Sequence, residues 1–282
     1  STWYEEEMLK KAIVNLRIVR KWVKSRYKYY LQITLDGNPV KKDRIVGRQQ
    51  RVGIDIGTST VAIVSENKVH LLELADKVKT NHDKKICLQR KMDRSKRVTN
   101  ACNFNEDGTI KRGRKLIWNY SGHYLKIQKQ VRELERKNAA IRKYQHICLA
   151  NEILTFGTEV YVEQMNFSGL QHRAKETTYN KSGRINKKKR FGKSLANRAP
   201  AMFLEILNKK LGYNANEELH KVDTQKFRAS QYDHTTDTYE KKTLNMRWIK
   251  LGNGDKIQRD LYSAFLLMNS TADMKKADRE RC

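Results

Sequence analysis

The sequence has no apolar run approaching the roughly 20 residues that a helix needs to cross a bilayer. Its first residues, Ser1 to Met8, are acidic rather than basic and then apolar, so they lack the pattern of a secretory signal. Cysteine is sparse too: Cys87, Cys102, Cys148 and Cys282 stand far apart, with no CxxC pair. No structural zinc is therefore expected, and reduced thiols in a cytoplasmic, nucleoid-associated protein are. Acidic residues are outnumbered, 31 against 59 Lys and Arg, for a net charge of +28. A surplus that large repels itself unless a polyanion neutralises it, which makes nucleic acid the leading partner. Attraction to an anionic membrane usually uses a basic amphipathic helix or a juxtamembrane cluster, whereas here the cations spread along the whole length.

What is present is enough for a core. The 282 residues allow one main domain with an appended module, or two domains. Hydrophobic residues make up 38%, and the mean hydropathy of −0.82 suits a surface that meets solvent or a hydrophilic partner. The chain opens at Ser1 without a methionine and stops at Cys282 after a charged stretch, and it reads as a segment of a longer protein.

From residue 8 to 35, β-branched and aromatic residues alternate with Lys and Arg, predicting strands with one buried and one basic face. Asp36-Gly37-Asn38-Pro39 ends that run as a turn, and residues 40–50 read as a linker. RVGIDIGTSTVAIVS (51–65) and KVHLLEL (68–74) predict three consecutive strands in an antiparallel meander. Residues 76–150 are helical in pattern, with Leu125, Val131, Leu134, Ile141, Ile147 and Leu154 as an apolar stripe. A strand at 159–167 follows, then a basic loop without apolar periodicity at 171–193. A helix at 195–211, a strand around 218–222, an irregular polar insert at 224–255 and a helix at 259–269 complete an α/β order.

Three acids sit where apolar residues are expected. Asp55 lies between Ile54 and Ile56; Glu163 ends the run Val160-Tyr161-Val162; Asp260 precedes the apolar segment Leu261 to Leu267. An unpaired buried charge costs several kcal/mol, by about the amounts seen on transfer to apolar media, so each needs a partner. Singly, Asp55 also fits a turn-proximal acid before Gly57, Glu163 a partner of a basic residue, and Asp260 a helix-capping or first-turn acid. Together they fit a site where carboxylates converge on Mg²⁺ or Mn²⁺, hard cations that prefer oxygen ligands. Two such ions about 4 Å apart activate a water and stabilise the leaving oxygen of a phosphodiester.

The segments GIDIG, YVEQMNF and QRDLYSAFLL around these acids resemble the three split RuvC motifs of TnpB, the transposon-encoded RNA-guided nuclease family related to type V CRISPR effectors. FGKSLANRAPAMFLEIL (191–207) is similar to the same family, and the resemblance runs from about residue 13 to 269. It implies an RNase H-like (RuvC) α/β nuclease core with guide RNA and target DNA as partners. Asp55, Glu163 and Asp260 would be its metal-binding acids. Residues 1–50 would be the end of a wedge-like β domain with its linker, 51–223 and 256–282 the nuclease domain, and 224–255 an inserted segment. That family commonly carries a zinc ribbon between its second and third motifs; here residues 230–260 contain His234 and no cysteine.

Lys91, Arg94 and Arg97, with the run Lys187, Lys188, Lys189 and Arg190, are candidate phosphate contacts, or else a solvated basic face. Trp22, Tyr27, Tyr29 and Tyr30 interleave with basic residues, as base-stacking groups or as strand core. Two other functions use the same features: nucleic-acid binding without cleavage, and a DNA-joining transposase of the RNase H class.

Overall fold

A helix, α1 (Trp3–Leu9), opens the chain behind the capping box of Thr2 and Glu5. It takes the place of the start of the strand segment read from residue 8. Two strands follow, β1 (Ile13–Val23) and β2 (Arg26–Leu35), in an antiparallel ribbon with Leu16 opposite Ile33 and Ile18 opposite Leu31. The alternation predicted a buried face. Instead Ile18 is 75% and Leu31 62% exposed, because a ribbon of two strands supplies no second layer to cover its apolar side. The computed structural model describes residues 2–24, 26–40, 49–113, 115–172, 176, 178–180, 182–183, 191–243 and 246–282.

The chain divides into two compact units, Ser1–Lys42 with Val78–Ile141, and Asp43–Lys77 with Arg142–Cys282. The remaining elements in chain order are β3 (Arg51–Ile56), β4 (Thr60–Ser65), β5 (Val69–Glu73), α2 (His82–Thr99), α3 (Gly122–Phe156), β6 (Glu159–Glu163), α4 (Phe167–Gln171), α5 (Gly192–Arg198), α6 (Pro200–Ala215), β7 (His220–Val222), α7 (Thr224–Phe227), β8 (Tyr232–Asp233), β9 (Thr238–Tyr239), β10 (Trp248–Lys250), β11 (Lys256–Gln258) and α8 (Arg259–Met268). The helix read over 195–211 is thus two, α5 and α6, meeting where Ala199 takes a left-handed φ of 47° before Pro200.

In the first unit, Leu88 of α2 packs against Ile127 and Leu134 of α3, and Asn81 donates to Asn138 at 2.8 Å. The buried stripe of α3 differs from the one predicted. Ile127, Leu134, Asn138, His146, Ala150, Ile153 and Leu154 are buried, while Leu125 is 44% exposed. Steps of three and four from Ile127 through Val131 to Leu134 lie on one side of the helix, and Leu125 falls off it.

The second unit is built on a mixed five-stranded sheet in the order β5-β4-β3-β6-β7. Antiparallel pairs join β3, β4 and β5, as the meander predicted, and parallel pairs join β3 to β6 and β6 to β7. Side chains alternate across it. Val52, Ile54, Ile56, Val160 and Val162 face one apolar cluster with Ile153, Phe203, Leu207 and Leu211. Gly53, Asp55, Tyr161 and Glu163 have the opposite parity, and α8 packs on that side through Ala264 and Met268 against Ala62 and Val64.

The insert read as irregular contributes to a second core that it shares with β6, β7 and α8. Phe227, Tyr232, Ile249 and Leu251 pack with Tyr161, Val222, Tyr262 and Leu266. Asp233 accepts from Thr235 N at 2.9 Å, Thr235 Oγ1 at 2.7 Å and Gly252 N at 2.9 Å, tying β8 to the turn after β10. His234 meets the Tyr262 hydroxyl through Nδ1 at 2.7 Å and donates its backbone N–H to it at 3.1 Å. These contacts join residues without any regular spacing, so no periodic signal marked them.

Candidate active site

Asp55 stands near the end of β3 and Glu163 at the end of the neighbouring parallel strand β6. The register pairs Ile54 with Val162, so the two carboxyls, one residue on, project side by side from the same face. Asp260 comes to that face from above, in the first turn of α8. The Gln258 side chain caps that helix by accepting from Leu261 N at 2.7 Å. Gly53 makes the approach of α8 possible, since a Cβ there would lie 1.9 Å from the Ala264 carbonyl oxygen. All three predicted acids therefore belong to one face of one unit.

Their electrostatics differ. Burial, then the negative charges of Glu163 and Asp260, push the Asp55 carboxyl up to about 8, against an opposing pull from Arg259. Burial alone pushes Glu163 up to about 7. Asp260 instead has cationic partners: Arg247 Nη1 lies 3.3 Å from Oδ2 and Arg259 Nη2 3.3 Å from Oδ1, with Gln258 Nε2 donating at 3.3 Å. Arg247 and Arg259 were not singled out in the sequence. Arg259 is visible there as the residue before Asp260, but Arg247 reaches it only through the β10–β11 pairing.

Two adjacent carboxyls, both raised by burial and Asp55 also by its acidic neighbours, fit a divalent cation, whose charge would favour their ionised forms and accept their oxygens. Asp55 and Glu163 would hold it, with Asp260 within electrostatic reach of Asp55. Among the described residues no three His, Cys, Asp or Glu side chains are gathered closely enough to hold a metal, Asp260 being drawn to its arginines.

The predicted phosphate contacts are not of one kind. Lys91 and Arg94 are exposed on α2. Arg97 is engaged locally: it donates to Asp93 at 2.7 Å and to the Gly108 carbonyl at 2.8 Å, and its guanidinium lies over Phe104. Lys187, Lys188, Lys189 and Arg190 lie outside the described residues, as does part of the basic loop around them. No described helix is long and apolar enough to cross a membrane.

No family model and no curated protein matches the chain. Among solved structures it is similar to a chain of a CRISPR-Cas12f ternary complex determined by cryo-EM, at 18% sequence identity and a TM-score of 0.43. That match covers 94% of this chain and 48% of the other, so the chain spans about half the length of the protein it matches.

Proposed function

We propose that the chain carries the nuclease part of an RNA-guided DNA endonuclease, an RNase H-like (RuvC) core that hydrolyses phosphodiester bonds with two metal ions. The observation that carries this reading is the placement of Asp55 and Glu163 one residue beyond the paired Ile54 and Val162 on adjacent parallel strands, beneath a helix whose first turn holds Asp260. The resemblance of the three surrounding motifs supports the guided, DNA-cutting form of the activity, with guide RNA and target DNA as partners. Mg²⁺ or Mn²⁺, when bound by these acids, would activate water and stabilise the leaving oxygen. The chain's own share is positional. β3 and β6 hold two carboxyls in register, Gln258 and Gly53 set the start and the depth of α8, and Arg247 and Arg259 form ion pairs with Asp260.

The test is cleavage of a labelled DNA strand complementary to the RNA that co-purifies with the protein. Cutting is expected with Mg²⁺ or Mn²⁺ and none in EDTA; equal cutting in EDTA contradicts the reading. Affinity for nucleic acid should also fall steeply with salt, since each phosphate neutralised contributes about −0.7 to −0.9 to the slope of log affinity against log salt. A flat plot would contradict a binding surface made of this cationic excess. In the same reading the insert folds without zinc. Elemental analysis should find less than about one zinc per chain, because structural zinc takes about four Cys or His ligands; stoichiometric zinc lost together with that fold would contradict this.

A further inference from the structure

The first unit holds a basic cavity that the acids do not use. It has a volume of about 630 Å³, within the range of about 300–1,000 Å³ usual for ligand sites, and lies beside Trp22 at the end of β1. Lys24, Lys84, Lys126, Lys129 and Lys137 surround it, and Leu88 and Leu134 give it an apolar floor. Its single acid, Glu133, is occupied. Arg136 donates to it through Nε at 2.8 Å and Nη2 at 2.7 Å, the Lys24 backbone N–H at 3.2 Å, and these bonds hold the carboxyl down at about 2. The lysine charges therefore have no equal number of anions to meet.

The aromatic wall gives the ligand its second character. Trp22 and Tyr27 meet edge to face at 4.9 Å, Lys129 lies 5.4 Å from the Trp22 ring, and Arg20 covers Tyr27 at 4.5 Å. Tyr27 keeps half its surface exposed, and the buried Trp22 Nε1 makes no hydrogen bond among the described residues. Trp22 also borders a second cavity of about 300 Å³, with Tyr27, Arg132 and Arg136 around it. The two cavities adjoin, since both are lined by Trp22, Lys129 and Glu133, and each has cations at its rim beside that ring.

We propose that this pair of cavities binds unpaired nucleotides of a nucleic-acid strand, with a base against Trp22 and Tyr27 and the flanking phosphates on Lys84, Lys126 and Arg132. Stacking supplies contact with any base, the lysines and arginine fix the backbone, and Trp22 Nε1 gains an acceptor. The assignment rests on the reading of the chain as a nucleic-acid-acting protein and adds a site distinct from the carboxylates.

A ten-nucleotide strand carrying 5-iodouracil, irradiated with the full chain and mapped by mass spectrometry, tests it. Adducts are expected on Trp22 or Tyr27. Lys84→Ala with Lys126→Ala, both exposed lysines, should lower adduct yield at least ten-fold and reduce the salt slope by about 1.4, two phosphate contacts to a single strand. Binding in a gel-shift assay with adducts only elsewhere overturns this site and leaves the nuclease reading standing; no binding at all overturns both. Equal competition by 5-iodouridine monophosphate overturns the strand assignment, and equal competition by polyglutamate overturns the nucleotide assignment.

Discussion

Asp55→Asn is expected to remove DNA cleavage, by at least about 10³-fold, or roughly 4 kcal/mol of transition-state stabilisation, while nucleic-acid affinity changes little. The amide keeps the size of the carboxyl but cannot supply an anionic ligand, and the cationic surfaces are untouched. The same variant should be more stable than the parent in metal-free buffer at pH 7. Asp55 is raised from 3.8 to about 8 and Glu163 from 4.5 to about 7, so between about pH 4 and 8 the folded state holds protons that the unfolded state releases. Stability then falls as pH rises through that window, by up to about 1.4 kcal/mol per pH unit for each group. Removing Asp55 removes its part of the slope. With the carboxyl half-buried, we expect a gain of about 2 kcal/mol, or roughly 4–8 °C in Tm, at pH 7. Thermal melts at pH 5.5 and 7.5 check this. A variant that melts below the parent at both pH values, or one that still cleaves, would sink the assignment of Asp55 as a half-buried, metal-binding acid.

Gly53→Val should abolish cooperative folding of the second unit, or lower its Tm by about 10 °C or more. A Cβ at this position meets the Ala264 carbonyl oxygen at 1.9 Å and the Met268 nitrogen at 2.6 Å, both backbone atoms of α8 that no rotamer change can move away. The helix must then lift from the sheet, losing the contacts of Ala264 and Met268 with Ala62 and Val64. Overpacking of this kind costs typically about 1–3 kcal/mol, and more where backbone meets backbone. Lifting α8 also withdraws Asp260 from Asp55. Gly192→Ala is the control, because nothing lies within 4 Å of its Cβ position. Circular-dichroism melts of the two variants should differ widely, and near-identical melts would contradict the close packing of α8 on β3.

Local pattern carried the strands and the acids. The runs around Val52, Ile54 and Ile56 and around Val160 and Val162 read as buried strands with Asp55 and Glu163 as acids within them, and the structure puts both acids on the side opposite the apolar cluster. The antiparallel meander was legible because its turns are short, and short turns leave consecutive strands little choice but to pair. The parallel pairing of β3 with β6, about a hundred residues apart in sequence, was not, since nothing local encodes which distant strand lies alongside. Arg247 as a partner of Asp260, Gly53 as the seat of α8 and the Trp22 cavity depend likewise on chain segments meeting in space. The ribbon β1–β2 shows the converse: its alternation specified a strand pair with one apolar face, but whether that face is covered depends on a second layer. Composition and periodicity thus determined the polyanion-seeking charge, the α/β order and which residues are acids on apolar strands. Only the tertiary structure decided which of them stand together, because the burial that raises Asp55 and Glu163, and the neighbouring charges that raise Asp55 further, arise from packing between segments far apart in the chain.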